Sequence, residues 1–263
     1  MTFEVALREV GLHYQGADQP LFENINLTLP AGSWSCLLGR SGCGKTSLLR
    51  MLAGLIEPEH RCQGEMVDGN GQPVMGRVAY MAQQDLLFPW LSVLDNVCLK
   101  ARVNGGRVSP QERRKASELL DQLGIGHCAK QRPEQLSGGM RQRVALARTL
   151  MQDTPLVLMD EPFSALDAVT RHRLQALAVD ALAGRTVLLI THDPQEALRL
   201  GDQVWLFENR RLIPVETPSS PIPRPVDSTL GDYQQQLLDA MQQADLHPHP
   251  GSEPSDGGDY ARV

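Results

Sequence analysis

The chain has 263 residues, 41% of them hydrophobic and 21% charged, the make-up of a globular protein with material for a sizeable core. Its 25 lysines and arginines against 31 acids give a formal charge of −6, which argues against a nucleic-acid binder working through bulk positive charge. No apolar run approaches the ~20 residues of a membrane span, and Glu4 and Arg8 interrupt what would have to be the apolar part of a signal peptide.

The N-terminal stretch reads as β. Phe3, Val5 and Leu7 alternate with polar or small residues, as do Ile25, Leu27 and Leu29, and Trp34–Leu38 follows a Pro30–Gly32 turn as a third strand. After a Gly-rich loop, Leu48, Met51, Leu52 and Leu55 fall on one helical face. Asp68-Gly69-Asn70-Gly71 signals a hairpin between Glu65–Val67 and a strand around Val78. From about Gln84 the pattern turns helical, with helices expected over Val93–Lys100, Pro110–Leu123 (capped by Ser109) and Gly138–Met151. From Leu156 strands and helices alternate: strand to Met159, helix Arg171–Leu182, strand Thr186–Ile190, helix Pro194–Leu200, then strands Val204–Phe207 and Leu212–Val215. Such alternation predicts a mostly parallel sheet with crossover helices.

The remainder, 216–263, is an acidic, Pro-rich tail. It holds eight acids and two bases, so the first 215 residues carry 23 charges of each sign. Four prolines between Thr217 and Pro225 suit an extended linker, and Leu230, Tyr233, Leu237, Leu238 and Met241 then form one helical face over about 228–246. That stripe docks either on its own domain or on a partner. Beyond Leu246 the composition predicts disorder. The five cysteines (Cys36, Cys43, Cys62, Cys98, Cys128) are odd in number and make no C-x-x-C pair, which points to a reducing compartment rather than a disulfide framework or structural zinc site.

Two motifs carry chemistry. Gly39, Arg40, Ser41, Gly42, Cys43, Gly44, Lys45 and Thr46 follow a strand and open a helix with Ser47, in the spacing G-x-x-x-x-G-K-T. Glycines let backbone N–H groups converge on phosphates, Lys45 reaches the β- and γ-phosphates, and Thr46 offers a hydroxyl to Mg²⁺. The apolar strand Leu156–Met159 ends in Asp160 and Glu161. A strand-end acidic pair is often simply solvated; beside a phosphate loop, Asp160 suits the Mg²⁺ shell and Glu161 an attacking water. Together they predict an NTP site.

The stretch Leu136-Ser137-Gly138-Gly139-Met140-Arg141-Gln142 resembles the signature motif of ABC-type ATPases, and the resemblance runs from about residue 3 to residue 215. The other family landmarks fall in order: Tyr14 matches the aromatic that stacks on adenine, Gln83 the Q-loop glutamine, Ser164–Asp167 the D-loop and His192 the H-loop histidine. Met140 departs from the commoner Gln, but the phosphate-facing Ser and glycines are intact. The resemblance implies an α/β P-loop NTPase fold, with a mostly parallel core sheet, an N-terminal antiparallel β-subdomain and a helical subdomain inserted over about 84–154, the whole domain spanning 1–215.

It further implies a head-to-tail dimer with two ATPs between the copies, in which Lys45 and Thr46 of one face Ser137, Gly138 and Gly139 of the other. ATP and Mg²⁺ are the implied cofactors, with Glu161, His192, Gln83 and Lys45 catalytic. Thr46, Gln83 and Asp160 would hold the metal, while Tyr14, Ser47 and Asp167 would line the nucleotide. Ser137 is also a good helix cap, which does not conflict with phosphate contact. Tyr14 either stacks on the base or packs beneath the first sheet.

Leu86–Val97, with Phe88, Pro89 and Trp90, resembles the corresponding stretch of importers of the nitrate, sulfonate, taurine and pyrimidine-precursor group. Phe88 and Trp90 either line a groove for a permease helix or belong to the subdomain's own core. The preferred reading is an ATPase subunit powering import of a small solute. It sits at the cytoplasmic face of a bacterial inner membrane and works with integral permease subunits and, indirectly, a solute-binding protein, without nucleic acid. The alternatives are an exporter subunit and a soluble ABC ATPase.

Overall fold

The computed structural model describes residues 3–103 and 106–246; the expected disorder beyond Leu246 lies outside them. The strands are β1 (Val5–His13), β2 (Phe22–Leu29), β3 (Trp34–Leu38), β4 (Arg61–Asp68), β5 (Val78–Met81), β6 (Leu156–Asp160), β7 (Thr186–Thr191), β8 (Gln203–Glu208) and β9 (Arg211–Val215). The helices are α1 (Lys45–Leu52), α2 (Val93–Val97), α3 (Leu99–Val103), α4 (Pro110–Gln122), α5 (Gly138–Leu150), α6 (Ala168–Ala181), α7 (Pro194–Leu200) and α8 (Ser228–Leu246).

Two sheets form. One is three-stranded and antiparallel in the order β2-β1-β4; the other runs β5-β6-β7-β3-β8-β9 and is parallel except for the β8–β9 pair. Every residue of β3, β6 and β7 is buried, as near-continuous apolar strands covered on both faces must be. Because side chains alternate, Leu37 joins the core shared with the antiparallel sheet and α1, while Cys36 and Leu38 join the core under the helices.

Two local expectations are corrected. The turn at Asp68–Gly71 forms, with Asp68 Oδ1 accepting from Asn70 N and Gln72 N, but its return arm pairs with β4 only as far as Val74. β4 then belongs to the antiparallel sheet through β1, and β5 crosses to pair in parallel with β6, so they are not a hairpin. The turn residues fixed a reversal without fixing which strand receives it. The helix expected over Val93–Lys100 is divided into α2 and α3 at Cys98.

The Ser109 cap forms as a reciprocal box, Ser109 Oγ accepting from Glu112 N at 3.1 Å and Glu112 Oε2 from Ser109 N at 2.8 Å. The linker Thr217–Pro225 has no helix or strand, and α8 lies on the main core with Leu230 and Leu237 buried and Tyr233 and Met241 packed against it.

Candidate active site

The working residues collect where β3, β6 and β7 end. β3 stops at Leu38 and the loop Gly39–Gly44 turns into α1. A Cβ on Gly39 would strike Phe207 O on β8 at 2.5 Å, so this strand end accepts glycine alone. Gly44, at φ 108°, caps α1 without a side chain, leaving the amides of the first turn without a side-chain acceptor. Lys45 is buried, and its Nζ donates to Gly39 O at 2.8 Å and Arg40 O at 2.6 Å, with Cys43 Sγ at 3.6 Å. Arg40, Ser41 and Gly42 lie exposed on the loop's outer side.

Tyr14 is half-buried against the core of the antiparallel sheet. Its hydroxyl is 2.9 Å from Ser47 Oγ, and its ring stands edge-on to His60 at 4.7 Å. Packing and a position beside the loop are thus served by one side chain.

Asp160 is 1% exposed, and its Oδ2 is buried with no hydrogen-bond partner. Burial pushes this carboxyl above its usual range; the Thr46 hydroxyl, bonded to it, opposes the shift and the charge of Glu161 adds to it. Glu161 follows at φ 49°, a left-handed conformation that a non-glycine residue adopts only when its surroundings hold it there. Four main-chain bonds do so: Glu161 N donates to Ile190 O at 2.9 Å, and Glu161 O accepts from Gln142 Nε2 at 2.9 Å, Ser164 Oγ at 3.0 Å and Ser164 N at 3.4 Å. The turn directs the carboxylate between two neighbours, Oε1 lying 3.0 Å from His192 Nδ1 and Oε2 accepting from Gln83 Nε2 at 3.3 Å. The His192 side chain remains 58% exposed. Gln83 is thus bonded to Glu161, the residue that follows Asp160.

Ser137, Gly138 and Gly139 form the head of α5, with Ser137 Oγ accepting from Met140 N at 3.3 Å. Ser137 and Gly138 are exposed, and a Cβ on Gly139 would come within 3.1 Å of Ala165 O. Gln83 and Gly138 line one cavity of about 410 Å³, together with Gln142, Ser164 and Ala165. Asp167 caps α6, accepting from Thr170 N at 2.9 Å, and the bonds to Thr170 hold its carboxyl below the usual range.

Sequence reasoning gave no role to the polar face of α5. Arg141 Nε donates to Asp85 Oδ2 at 2.9 Å, and Arg148 donates to the carbonyls of Asp85 and Leu86, both at 2.7 Å. Gln142 bridges the Glu161 carbonyl to Ala165 N. Arg141 and Arg148 are seven residues apart and so share a helix face, a signal present in the sequence; their acceptors, the carbonyls of Asp85, Leu86 and Leu136 and the Asp85 carboxylate, were not. Trp90 is 66% exposed, its ring edge-on to half-buried Phe88 at 5.1 Å, so the Trp90 ring lies outside the subdomain core.

A family model described as "ABC transporter" matches residues 22–164. Among similar proteins, an uncharacterized ABC transporter ATP-binding protein of Haemophilus influenzae is 45% identical over 243 residues, 90% of this chain and 98% of that one. An aliphatic sulfonates import ATP-binding protein of Rhodococcus jostii is 41% identical over 92% of this chain and 95% of its own. A taurine import ATP-binding protein of Mesorhizobium japonicum is 40% identical over 76% of this chain and 78% of its own. Among solved structures, a dimeric ATP-binding cassette in a post-hydrolysis state, bound to ADP and Pi, superposes with a TM-score of 0.69 at 29% identity, covering 84% of this chain and 99% of that one.

Proposed function

This chain belongs to the ABC transporter family of ATP-binding proteins, and from that premise we propose how its residues bind and hydrolyse ATP to power import of a small solute through a separate permease. The observation that carries the reading is the Glu161 carboxylate, held between Gln83 and His192 one residue past the Asp160–Thr46 pair.

Lys45 has three ammonium donors, and the Gly39 and Arg40 carbonyls hold it inside the loop whose amides receive the phosphates. Asp160 and Thr46 fit Mg²⁺: a buried carboxylate oxygen without a partner and a hydroxyl bonded to the same group are hard oxygen donors. An ion held there would supply positive charge to offset that of the phosphates. His192 leaves Glu161 for the γ-phosphate, which frees Oε1 to accept a proton of the attacking water, while Gln83 keeps its hold on Oε2. Tyr14 lines the base, and Asp167 orders the D-loop by capping α6.

The head of α5 serves a second copy. Its exposed Ser137 and Gly138 present helix amides to the partner's nucleotide, and the dimeric, ADP-bound cassette at 29% identity supports that arrangement. Trp90, exposed beyond Gln83, faces the permease. Among the described residues no helix is long and apolar enough to cross a membrane, in keeping with a subunit held at the cytoplasmic face by its permease. The named relatives are import proteins, so the exporter and soluble alternatives are not favoured. Phosphate release by the purified chain tests the assignment: Glu161→Gln lowers turnover by ~10² or more with ATP binding intact, and near-normal hydrolysis contradicts it.

A further inference from the structure

Helix α7 is seven residues long and starts just after the His192–Asp193 turn, so whatever fixes α7 fixes the turn that carries the imidazole. At its near end Asp193 Oδ1 accepts from Gln195 N and Glu196 N, and Arg171 reaches Asp193 Oδ2 at 3.3 Å. Along its flank Gln175 Nε2 donates to the buried Glu196 Oε1 at 2.9 Å, and Arg199 Nε donates to Gln175 Oε1 at 3.0 Å.

The far end is held by the tail. Arg224 is 3% exposed, and its Nη1 donates to Leu198 O at 2.6 Å and Gly201 O at 2.7 Å. Its backbone N–H donates to Arg199 O at 2.9 Å, and the Arg199 guanidinium donates back to Arg224 O. Arg224 Nε closes the linker on itself through Ser220 O at 3.0 Å. α8 then buries Leu230 and Leu237 in the core that holds Ala197, Leu198 and Leu200. A guanidinium is kept from water only where its donors are met. Here two carbonyls at the end of α7 and one of the linker meet three of them, at the end of a helix that favours a cation. A tail serving as a mere spacer would leave position 224 as exposed as Pro225, Val226 and Asp227.

We propose that Arg224 is a positioning residue for ATP hydrolysis: by clamping the far end of α7 it sets His192 against Glu161, and the tail thereby governs the catalytic turn. The inference rests on the reading of His192 as an active-site group and extends it to the tail. The experiment uses the full chain labelled with ¹³C-histidine, whose seven histidines give a resolvable set of ring signals; the His192 signal is the one lost in His192→Ala.

Arg224→Met is expected to move the His192 ring signals and lower kcat ~10-fold while leaving KM for ATP within about twofold. Arg224→Lys, which still offers a donor to the Leu198 and Gly201 carbonyls, is expected to recover part of both effects, and it carries the test if the Met variant fails to fold. Unmoved His192 signals in a folded variant overturn the proposal. So does an equal fall in kcat when Arg224→Met is placed in a His192→Ala background. Near-native turnover by His192→Ala alone would instead sink the catalytic reading beneath it, with the ring signals still judging the clamp.

Discussion

The end of the central sheet and the helical segment from Gln84 to Thr154 meet their obligations differently. At the sheet end most working side chains are partnered within the chain: Lys45 by loop carbonyls, Thr46 by Asp160, and Glu161 by Gln83 and His192. In the helical segment Trp90, Ser137 and Gly138 stand exposed, while Arg141, Gln142 and Arg148 tie the back of α5 to the Gln83 loop and to Glu161. One region is partnered within the chain; the other is braced internally and, on the proposed function, is completed by other molecules.

Substitutions can break that contrast, and the strongest acts on the assembled side. Lys45→Ala removes a buried ammonium whose charge-assisted hydrogen bonds are worth about 1.5–3 kcal/mol each, so ATP affinity in equilibrium dialysis is expected to fall ~10–100-fold. Unchanged affinity would show that the loop cradles no phosphate. On the completed side, Trp90→Ala is expected to reduce permease-stimulated hydrolysis in the reconstituted complex ~10-fold, the scale of an aromatic anchor, while sparing ATP binding. Full stimulation would leave the exposed ring without a partner.

Smaller effects sharpen the division. Ser109→Ala deletes the capping box of α4 and is expected to cost about 1 kcal/mol in denaturant unfolding with ATP affinity unaltered. The smallest effect is a pH slope. Burial, with the Glu161 charge adding, pushes Asp160 above its usual range. A carboxylate raised in this way stabilises the fold below the ordinary carboxylate pKa of about 4, and that contribution is lost as pH rises through the raised value. The nucleotide-free chain should therefore lose stability over that rise more than Asp160→Asn does; parallel curves would remove buried charge as the cause. Asp167 and Glu112 are held low by backbone bonds, so their stability is lost as pH falls below about 4, outside this window.

The β pattern, the phosphate loop, the strand-end acids and the Ser109 cap were legible because each is local: period-two alternation, a glycine spacing, a serine before a proline. What escaped was long-range. Asp68–Gly71 announces a reversal but not that its two flanking strands enter different sheets. Buried Asn96, donating to Phe88 O and Ser92 O, and Arg224, bound to the end of α7, have backbone carbonyls as partners, and those carry no residue code. The stripe around Leu237 told that one face of α8 is buried without telling against what. Glu161 illustrates the boundary: a carboxylate at the end of an apolar strand was readable, whereas the left-handed turn that aims it appears only when β6, β7 and α5 meet.

The most direct test of the central claim, that ATP is gripped between the loop of one copy and the α5 head of another, is light scattering on Glu161→Gln with saturating ATP and Mg²⁺. A species of twice the chain's mass is expected, one that reverts to monomer when ATP is withdrawn and fails to form when Ser137→Arg blocks the helix head. ATP-loaded chains that stay monomeric, or a dimer indifferent to Ser137→Arg, would contradict it.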